Sequence, residues 1–170
     1  MGDETVTDHP LWQNLFRRRP DRLTESTAMW RQTPLLEGIS ERKARQLVAD
    51  MHFRRYVDGE TIFRHGDAGA GAVLVYSGEV EIRAGDTLLA ELKSGDFFGE
   101  VALVSEEPRT ADAIARGNVE LLFLMRAKLN EWVQRAPRNG GRFMSNLAHV
   151  LAGRLRRANE RLMEHGVGSR

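Results

Sequence analysis

The spacing of apolar residues changes twice along the chain. Ser40 is a suitable N-cap, and the apolar residues after it recur every three or four positions, which predicts an amphipathic helix. From His52 onward, short runs of β-branched and leucine residues alternate with turn sequences, which predicts strands. Helical spacing returns near Lys128. The sequence therefore predicts a β-domain placed between helices.

The central part of the chain is predicted to consist of short strands joined by tight turns. The Asp58-Gly59 pair between β-prone flanks is typical of a hairpin. Turn sequences then recur roughly every 8–12 residues, a spacing typical of an antiparallel sandwich or barrel. The turns are predicted at 66–67, 77–78, 84–86, 94–96 and 117–118, and the strands at 73–76, 80–82, 88–92, 111–115 and 119–125.

The two ends of the chain are predicted to be helical. In an N-terminal arm, residues 10–16 have helical spacing, and the basic triplet at 17–19 with Pro20 ends this helix. A short helix after Lys128 is predicted to stop before Pro137, and Gly140-Gly141 is expected to break the chain. A long amphipathic helix follows, with Phe143, Leu147, Val150, Leu151, Leu155, Ala158 and Leu162 on its apolar face and Arg142, Arg154, Arg156, Arg157, Glu160 and Arg161 on an opposite, solvated face.

Composition excludes several kinds of site. The 170 residues include no cysteine, so disulfides and cysteine-based sites are excluded, and the five histidines are scattered without metal-ligand spacing. No catalytic arrangement is recognisable, so we expect a protein that is not an enzyme, with no catalytic residue, metal or resident cofactor. Lys and Arg number 25 against 24 Asp and Glu, so the charge balance does not predict nucleic-acid binding. Without a long apolar run or a signal sequence, we expect a cytoplasmic protein that makes no membrane contact.

Residues 95–111 carry the candidate chemistry. Gly99 permits a sharp turn or a close approach of the backbone. Residues 100–103 can form one helical turn, whose unpaired N–H groups make a site for a phosphate. Arg109 can hold a phosphate through two hydrogen bonds, and Glu100 can accept hydrogen bonds from a sugar hydroxyl. In a purely structural interpretation, Gly99 is a turn residue and Glu100 and Arg109 form a salt bridge.

The same segment resembles the phosphate-binding cassette of cyclic-nucleotide-binding domains, the family of the catabolite activator protein and the protein kinase A regulatory subunits. The family pattern is Phe-Gly-Glu-aliphatic-Ala-Leu, a short loop and Arg-small-Ala, all of which is present here. The resemblance implies an α+β fold: an antiparallel β-barrel or jelly roll (double-stranded β-helix) with an N-terminal helical arm and C-terminal helices. It divides the chain into an arm at 1–33, a cyclic-nucleotide-binding β-roll at 34–135, and a long helix at 136–170 for lid and dimer contacts.

The resemblance also implies a role for each cassette residue. Glu100 would bind the ribose 2′-hydroxyl and Arg109 the cyclic phosphate, with backbone N–H groups of Gly99, Glu100 and Ala102 around the nucleotide. In cyclic-GMP-responsive relatives a threonine after the arginine often contacts the guanine and the phosphate, but bacterial cyclic-AMP binders also use a hydroxyl residue there, so Thr110 does not decide between them. We expect cAMP as the ligand, and cGMP stays open. No residue between 147 and 162 identifies itself as the cap over the base. The implied ligand-binding set is Phe98, Gly99, Glu100, Val101, Ala102, Arg109, Thr110 and Ala111.

The implied function is that of a cyclic-nucleotide sensor. Ligand binding would shift the population of C-terminal helix positions and so expose or hide a surface for an unidentified protein partner. The spacing on the long helix suits a homodimer seam. Only residues 166–170 follow His165, so we expect no DNA-binding helix-turn-helix. The alternative is a ligand-free scaffold that keeps the fold and uses Arg109 and Glu100 as an internal salt bridge.

Overall fold

The computed structural model describes residues 21–166. The helix predicted at 10–16 and its basic end at 17–20 lie outside the described residues. The α+β class with an antiparallel β-structure between N-terminal and C-terminal helices is confirmed. One helix within the predicted arm had no prediction of its own, and Asp21 caps it by accepting a hydrogen bond from the Thr24 N–H at 2.6 Å.

The helices and strands follow in the predicted overall order. The elements are α1 (Arg22–Gln32), a 3-10 turn (Pro34–Leu36), α2 (Glu41–Val48), β1 (His52–Tyr56), β2 (Thr61–Phe63), β3 (Gly71–Ala84), β4 (Thr87–Lys93), β5 (Phe97–Phe98), a 3-10 helix (Glu100–Leu103), β6 (Asp112–Met125), α3 (Arg126–Arg135) and α4 (Pro137–Gly166).

Strands β3 and β6 form the centre of the antiparallel sheet. Its order is β1-β6-β3-β4, and β2 pairs with β6 while β5 pairs with β3. The hairpin predicted at Asp58-Gly59 is wrong, because β1 and β2 flank this turn but both pair with β6, at 119–123 and 113–114 respectively. The Gly59 N–H donates to the Ala115 carbonyl at 2.9 Å. The turn is therefore held against β6, which at 14 residues is long enough to pair with both strands.

Two of the predicted turns are irregularities inside these long strands. Ser77-Gly78 lies within β3 and Gly117-Asn118 within β6, and the register of the two strands shifts around Ser77. Gly78 has a φ of 86°, which glycine adopts without strain. A Cβ at Gly78 would stand 2.5 Å from the Asn118 carbonyl oxygen, so the strands approach closely here. Each of the two long strands therefore replaces a predicted pair of short ones.

Alternating side chains of β3 and β6 build two separate cores. Val73 packs into the interior of the β-roll, whereas the next residue, Leu74, packs against the helices. The segment around Gly99 joins the two cores, because Phe98 lies in the first and Leu103 in the second. Large side chains of the helical core include Trp30, Leu47, Leu129, Trp132, Phe143 and Leu147.

Helix α4 begins at Pro137 and passes through Gly140 and Gly141 without interruption. The predicted break is therefore wrong, and Pro137 occupies a first helical turn, where proline is tolerated. A Cβ at Gly140 would stand 2.7 Å from the Val133 Cγ1 and 2.9 Å from its Cα. The missing side chain thus lets α4 cross α3 closely. Within residues 21–166, no helix is both long and apolar enough to span a membrane.

Candidate functional site

A left-handed glycine opens the short 3-10 helix that was predicted as a phosphate-binding turn. Gly99 has φ 70° and ψ 16°, and Glu100 is the first residue of the helix. A Cβ at Gly99 would stand 2.5 Å from the Arg109 Nη1, so glycine also admits the arginine. Glu100 is 2% exposed, whereas Val101 is 50% exposed. The turn therefore buries the Glu100 side chain and exposes the Val101 side chain.

Arg109 enters this site from the loop before β6. Its guanidinium donates from Nη1 to the Gly99 carbonyl at 3.1 Å and from Nη2 to the Gly71 carbonyl at 2.8 Å. Its Cζ lies 4.3 Å from the centroid of the Phe63 ring. Both hydrogen-bond partners are neutral, and the ring adds only a cation–π attraction. The guanidinium is thus held in place while its positive charge remains uncompensated by a direct carboxylate contact.

The charge of Arg109 lies in a partly desolvated position. Burial lowers the pKa of the guanidinium from its ordinary value, and the more distant carboxylates of Glu100 and Asp67 act in the opposite direction. Arginine nevertheless stays protonated in proteins. Its buried Nε has no hydrogen-bond partner among the described residues. A buried cation with an unpaired donor is costly, and an anion placed beside it would relieve that cost.

Glu100 pairs with a residue of α4 rather than with Arg109. Its Oε2 accepts from the Arg154 Nη1 at 2.7 Å, and the Arg154 Nη2 donates to the Phe97 carbonyl at 2.9 Å. The internal Arg109–Glu100 salt bridge of the scaffold alternative is therefore wrong. Arg154 was predicted on a solvated face, but it connects α4 to the first residue of the short helix.

The Ala102 N–H was predicted to contact the nucleotide. In the structure it donates to the Gly99 carbonyl at 3.1 Å, the same oxygen that accepts from Arg109. This N–H could therefore contact a nucleotide only by sharing or giving up its hydrogen bond to the Gly99 carbonyl. The carbonyls of Gly99 and Gly71 fix the direction of the Arg109 guanidinium.

The predicted residues surround a single cavity of about 630 Å³, a volume in the range of small-molecule sites. Residues of β4 and β5 and the side chain of Phe63 complete the apolar wall. Within residues 21–166, no cluster of three or more His, Cys, Asp or Glu is arranged to hold a metal ion. All eight residues of the predicted set line the cavity: Phe98, Gly99, Glu100, Val101, Ala102, Arg109, Thr110 and Ala111.

Sequence reasoning missed the part of the cavity that α4 provides. Arg154, Arg157, Ala158 and Arg161 line it, although these arginines were predicted to face solvent. A signal was present in the spacing, because the arginines continue the stripe that earlier in the helix is buried. That stripe, with alternating steps of four and three, is Phe143, Leu147, Val150, Arg154, Arg157 and Arg161.

Comparison with known proteins agrees with this geometry. A family model described as a cyclic nucleotide-binding domain matches residues 53–136, which include the whole short helix and Arg109. The chain belongs to the cyclic nucleotide-binding domain family. The matched segment begins in β1 and ends just after α3, so it covers the β-roll and the helix that follows it.

Relatives of the domain occur in proteins of different kinds. The chain is 34% identical over 132 residues to the cyclic AMP receptor protein of Thermus thermophilus, covering 75% of this chain and 59% of the receptor. It is 29% identical over 134 residues to mouse cGMP-dependent protein kinase 2, covering 74% of this chain and 18% of the kinase. The crystal structure of the Thermus thermophilus catabolite activator protein superimposes with a TM-score of 0.70 at 34% identity, over 79% of this chain and 63% of that one. The chain thus spans less than two thirds of these proteins.

Proposed function

We propose that this protein is a regulatory sensor that binds a cyclic nucleotide in the cavity beside Gly99 and relays binding through its C-terminal helices to a protein partner. The observation that carries the proposal is the state of Arg109. Among the described residues, its partly buried guanidinium hydrogen-bonds only to carbonyls, lies over an aromatic ring and has an Nε without a hydrogen-bond partner. A cyclic phosphate supplies the single negative charge that this position lacks.

Glu100 supports the other half of the assignment. One of its oxygens accepts from Arg154, and the carboxylate has further lone pairs for a ribose hydroxyl. The buried position places this acceptor at the cavity wall, on the same short helix whose first residues follow Gly99. Sugar and phosphate would then be held by residues only nine positions apart in sequence.

We favour cAMP as the ligand and keep cGMP as the second candidate. The Thermus receptor carries cyclic AMP in its name and is more similar to this chain than the mouse kinase, which is named for cGMP. Thr110 lines the cavity beside Arg109 and serves either nucleotide. The α4 residues that line the cavity, in particular Arg157 and Ala158, would then provide the cap over the base.

The relay would run through α4. Arg154 joins this helix to Glu100, so a nucleotide that engages Glu100 changes the contact that holds the helix over the cavity. The opposite edge of α4 presents Leu155 and Leu162, which are 64% and 71% exposed. Their seven-residue separation suits a seam with the same helix of a second copy, and a homodimer is therefore part of the proposal.

A ligand-free scaffold is the second candidate, and the Glu100–Arg154 pair favours it. This pair satisfies the buried carboxylate without any nucleotide. The scaffold interpretation does not explain why the buried Nε of Arg109 has no hydrogen-bond partner among the described residues, and we therefore rank it second. In neither case do we propose turnover, and incubation with cAMP or cGMP followed by chromatography should return the intact nucleotide.

Thermal unfolding with cAMP, cGMP and non-cyclic 5′-AMP tests the proposal. A cyclic nucleotide at 100 times its Kd should stabilise the protein by about 2.7 kcal/mol, and 5′-AMP should not. Arg109→Gln should weaken binding at least about 100-fold, because the phosphate loses its charged partner. Titration calorimetry gives the Kd of each variant.

Arg116→Gln is the matched control, since Arg116 lies in β6 and pairs with Glu81 away from the cavity. It should bind like the wild type. If millimolar cAMP and cGMP both leave the melting temperature unchanged, the sensor proposal fails and the scaffold candidate stands. If Arg109→Gln retains the shift, the cavity assignment is wrong.

A further inference from the structure

Arg126, the first residue of α3, lies behind the cavity and contacts the segments that surround it. Its side chain is outside the cavity lining and is 24% exposed. Its backbone N–H donates to the Ala70 carbonyl at 2.8 Å, in the loop that precedes β3. The residue therefore joins the end of β6 and the start of the C-terminal helices to the loop before β3.

The guanidinium of Arg126 donates to three backbone carbonyls. Nη1 lies 3.1 Å from the Ala102 oxygen, 2.6 Å from the Ser105 oxygen and 3.3 Å from the Gly69 oxygen. Nη2 lies 3.1 Å from the Glu106 Oε1, a side chain that is 89% exposed. The contact with the Glu106 carboxylate is an exposed ion pair, which contributes little to stability. The three contacts with backbone carbonyls therefore hold the surrounding segments together.

These carbonyls belong to the segment that shapes the site. The Ala102 oxygen lies in the last turn of the short helix, where carbonyls have no later helical N–H to accept from. A cation at a helix C-terminus also interacts favourably with the helix dipole. The Gly69 contact adds the neighbouring loop, where a Cβ at Gly69 would stand 2.9 Å from the Ala102 Cβ. Arg126 thus fixes the short helix at the end opposite Gly99.

We propose that Arg126 is a positioning residue for the nucleotide site, and that it makes the short helix and the start of α3 move as one unit. This inference rests on the proposed function for its ligand. Arg126 is not itself a lining residue of the cavity, so its influence on binding passes through the position of Ala102, which it contacts, and of the neighbouring residues. Arg154 acts from α4 at the other end of the same helix. The cassette is therefore connected to both C-terminal helices.

Calorimetric titration with cAMP and cGMP, together with hydrogen exchange, tests the inference on the full chain. Arg126→Met keeps the alkyl stem but removes every donor, and it should weaken binding about tenfold. Exchange of the amides in 99–105 should accelerate in this variant even without nucleotide. In the wild type, nucleotide should slow exchange at the start of α3, and this effect should be lost in Arg126→Met.

Two further variants keep the result interpretable. Arg126→Lys retains the charge, but its stem is shorter and its ammonium lacks the fixed planar geometry of the guanidinium, so it should bind with intermediate affinity; this variant gives the test if Arg126→Met does not fold. Arg135→Met removes an arginine from the last turn of α3, where it pairs with Asp50, and should behave like the wild type. A Kd within twofold of the wild type, with unchanged exchange of 99–105, overturns the inference. If the wild type binds neither nucleotide, the proposed function fails, while the exchange of 99–105 still decides the role of Arg126.

Discussion

The cavity and the surface where α1 meets the sheet both depend on arginines, but the arginines have different partners. At the α1 surface, Arg22 donates to both carboxylate oxygens of Glu120, at 2.7 and 2.8 Å, and Arg55 pairs with the same carboxylate. At the cavity, Arg109 donates only to backbone carbonyls among the described residues, and Arg126, behind the cavity, donates mainly to carbonyls. Arg154 is the exception, because it pairs with the Glu100 carboxylate. The carboxylate contacts at the α1 surface neutralise charge, whereas the carbonyl contacts leave the charge of Arg109 uncompensated.

The difference separates a structural contact from a ligand site. A carboxylate partner stabilises the fold directly and leaves little charge for anything else. Carbonyl partners fix the direction of the guanidinium but keep its positive charge available. Backbone partners also require close approach of the chain, which the glycines at 69, 71 and 99 permit beside the cavity.

The largest effect is expected at Gly71, whose carbonyl holds Arg109. A Cβ at this position would stand 2.1 Å from the Leu124 carbonyl oxygen, so Gly71→Ala must push β3 away from β6. We expect a loss of about 3 kcal/mol in the free energy of unfolding, measured by urea denaturation.

Gly141→Ala provides the control for that experiment. Gly141 lies in α4 with open space around its Cβ position, so alanine should gain up to about 1 kcal/mol through its helix propensity. Equal stability of the Gly71→Ala variant and the wild type would mean that the backbone around the cavity is not tightly constrained.

A smaller effect is expected at Arg154, the cavity arginine with a carboxylate partner. Arg154→Gln removes the ion pair between α4 and Glu100, the proposed acceptor for the ribose hydroxyl. Because Glu100 and α4 are then no longer held together, nucleotide binding should weaken about tenfold. Titration calorimetry measures the change. Arg156→Gln, on an exposed position of the same helix, should have no effect. Tighter binding in Arg154→Gln would show instead that Arg154 competes with the nucleotide for Glu100.

The smallest effect is expected at the α1 surface. Hydrogen bonding to Arg55, followed by Arg22, lowers the pKa of Glu120 below its ordinary value of 4.5. The pairing therefore stabilises the protein above that value and loses its effect as the pH falls through the lower pKa of the folded state. Glu120→Gln should cost about 1 kcal/mol at neutral pH, since the partners are exposed.

Urea denaturation of wild type and Glu120→Gln across pH measures this difference. The two unfolding free energies should converge as the pH falls below the lowered pKa of Glu120, and nucleotide affinity should be the same in both proteins. A gap that persists at low pH would point to lost packing rather than lost charge. A change in affinity would contradict the separation of the two regions.

The β-structure could be predicted in kind but not in its connections. Turn sequences correctly marked places where the chain departs from regular pairing. Whether such a place is a hairpin or a bulge depends on the partner strand, and β6 is long enough to continue past Gly117 and to pair on both sides of the Asp58-Gly59 turn. Gly140 shows the same limit, because its neighbour Val133 comes from another helix.

The candidate site divides in the same way. The residues 98–102 and 109–111 could be named because their segment resembles the family's phosphate-binding cassette, and all of them line the cavity. The contribution of α4 depends on where a distant helix crosses the roll. Arg126 had no signal in the sequence at all, since its partners are carbonyls that any residue possesses.

The continuous course of α4 gives it mechanical leverage. Its 30 residues make a rod about 45 Å long. Its N-terminal half packs in the helical core through Phe143 and Leu147, and Arg154, near the middle of the helix, pairs with Glu100 at the cavity. A tilt of about 10° around Phe143 and Leu147 would move the far end by roughly 5–6 Å, given a rise of about 1.5 Å per residue. A shift of about 1 Å in the contact between Arg154 and the cavity would thus become a larger displacement at the end of α4, which could change its contact with a second protein.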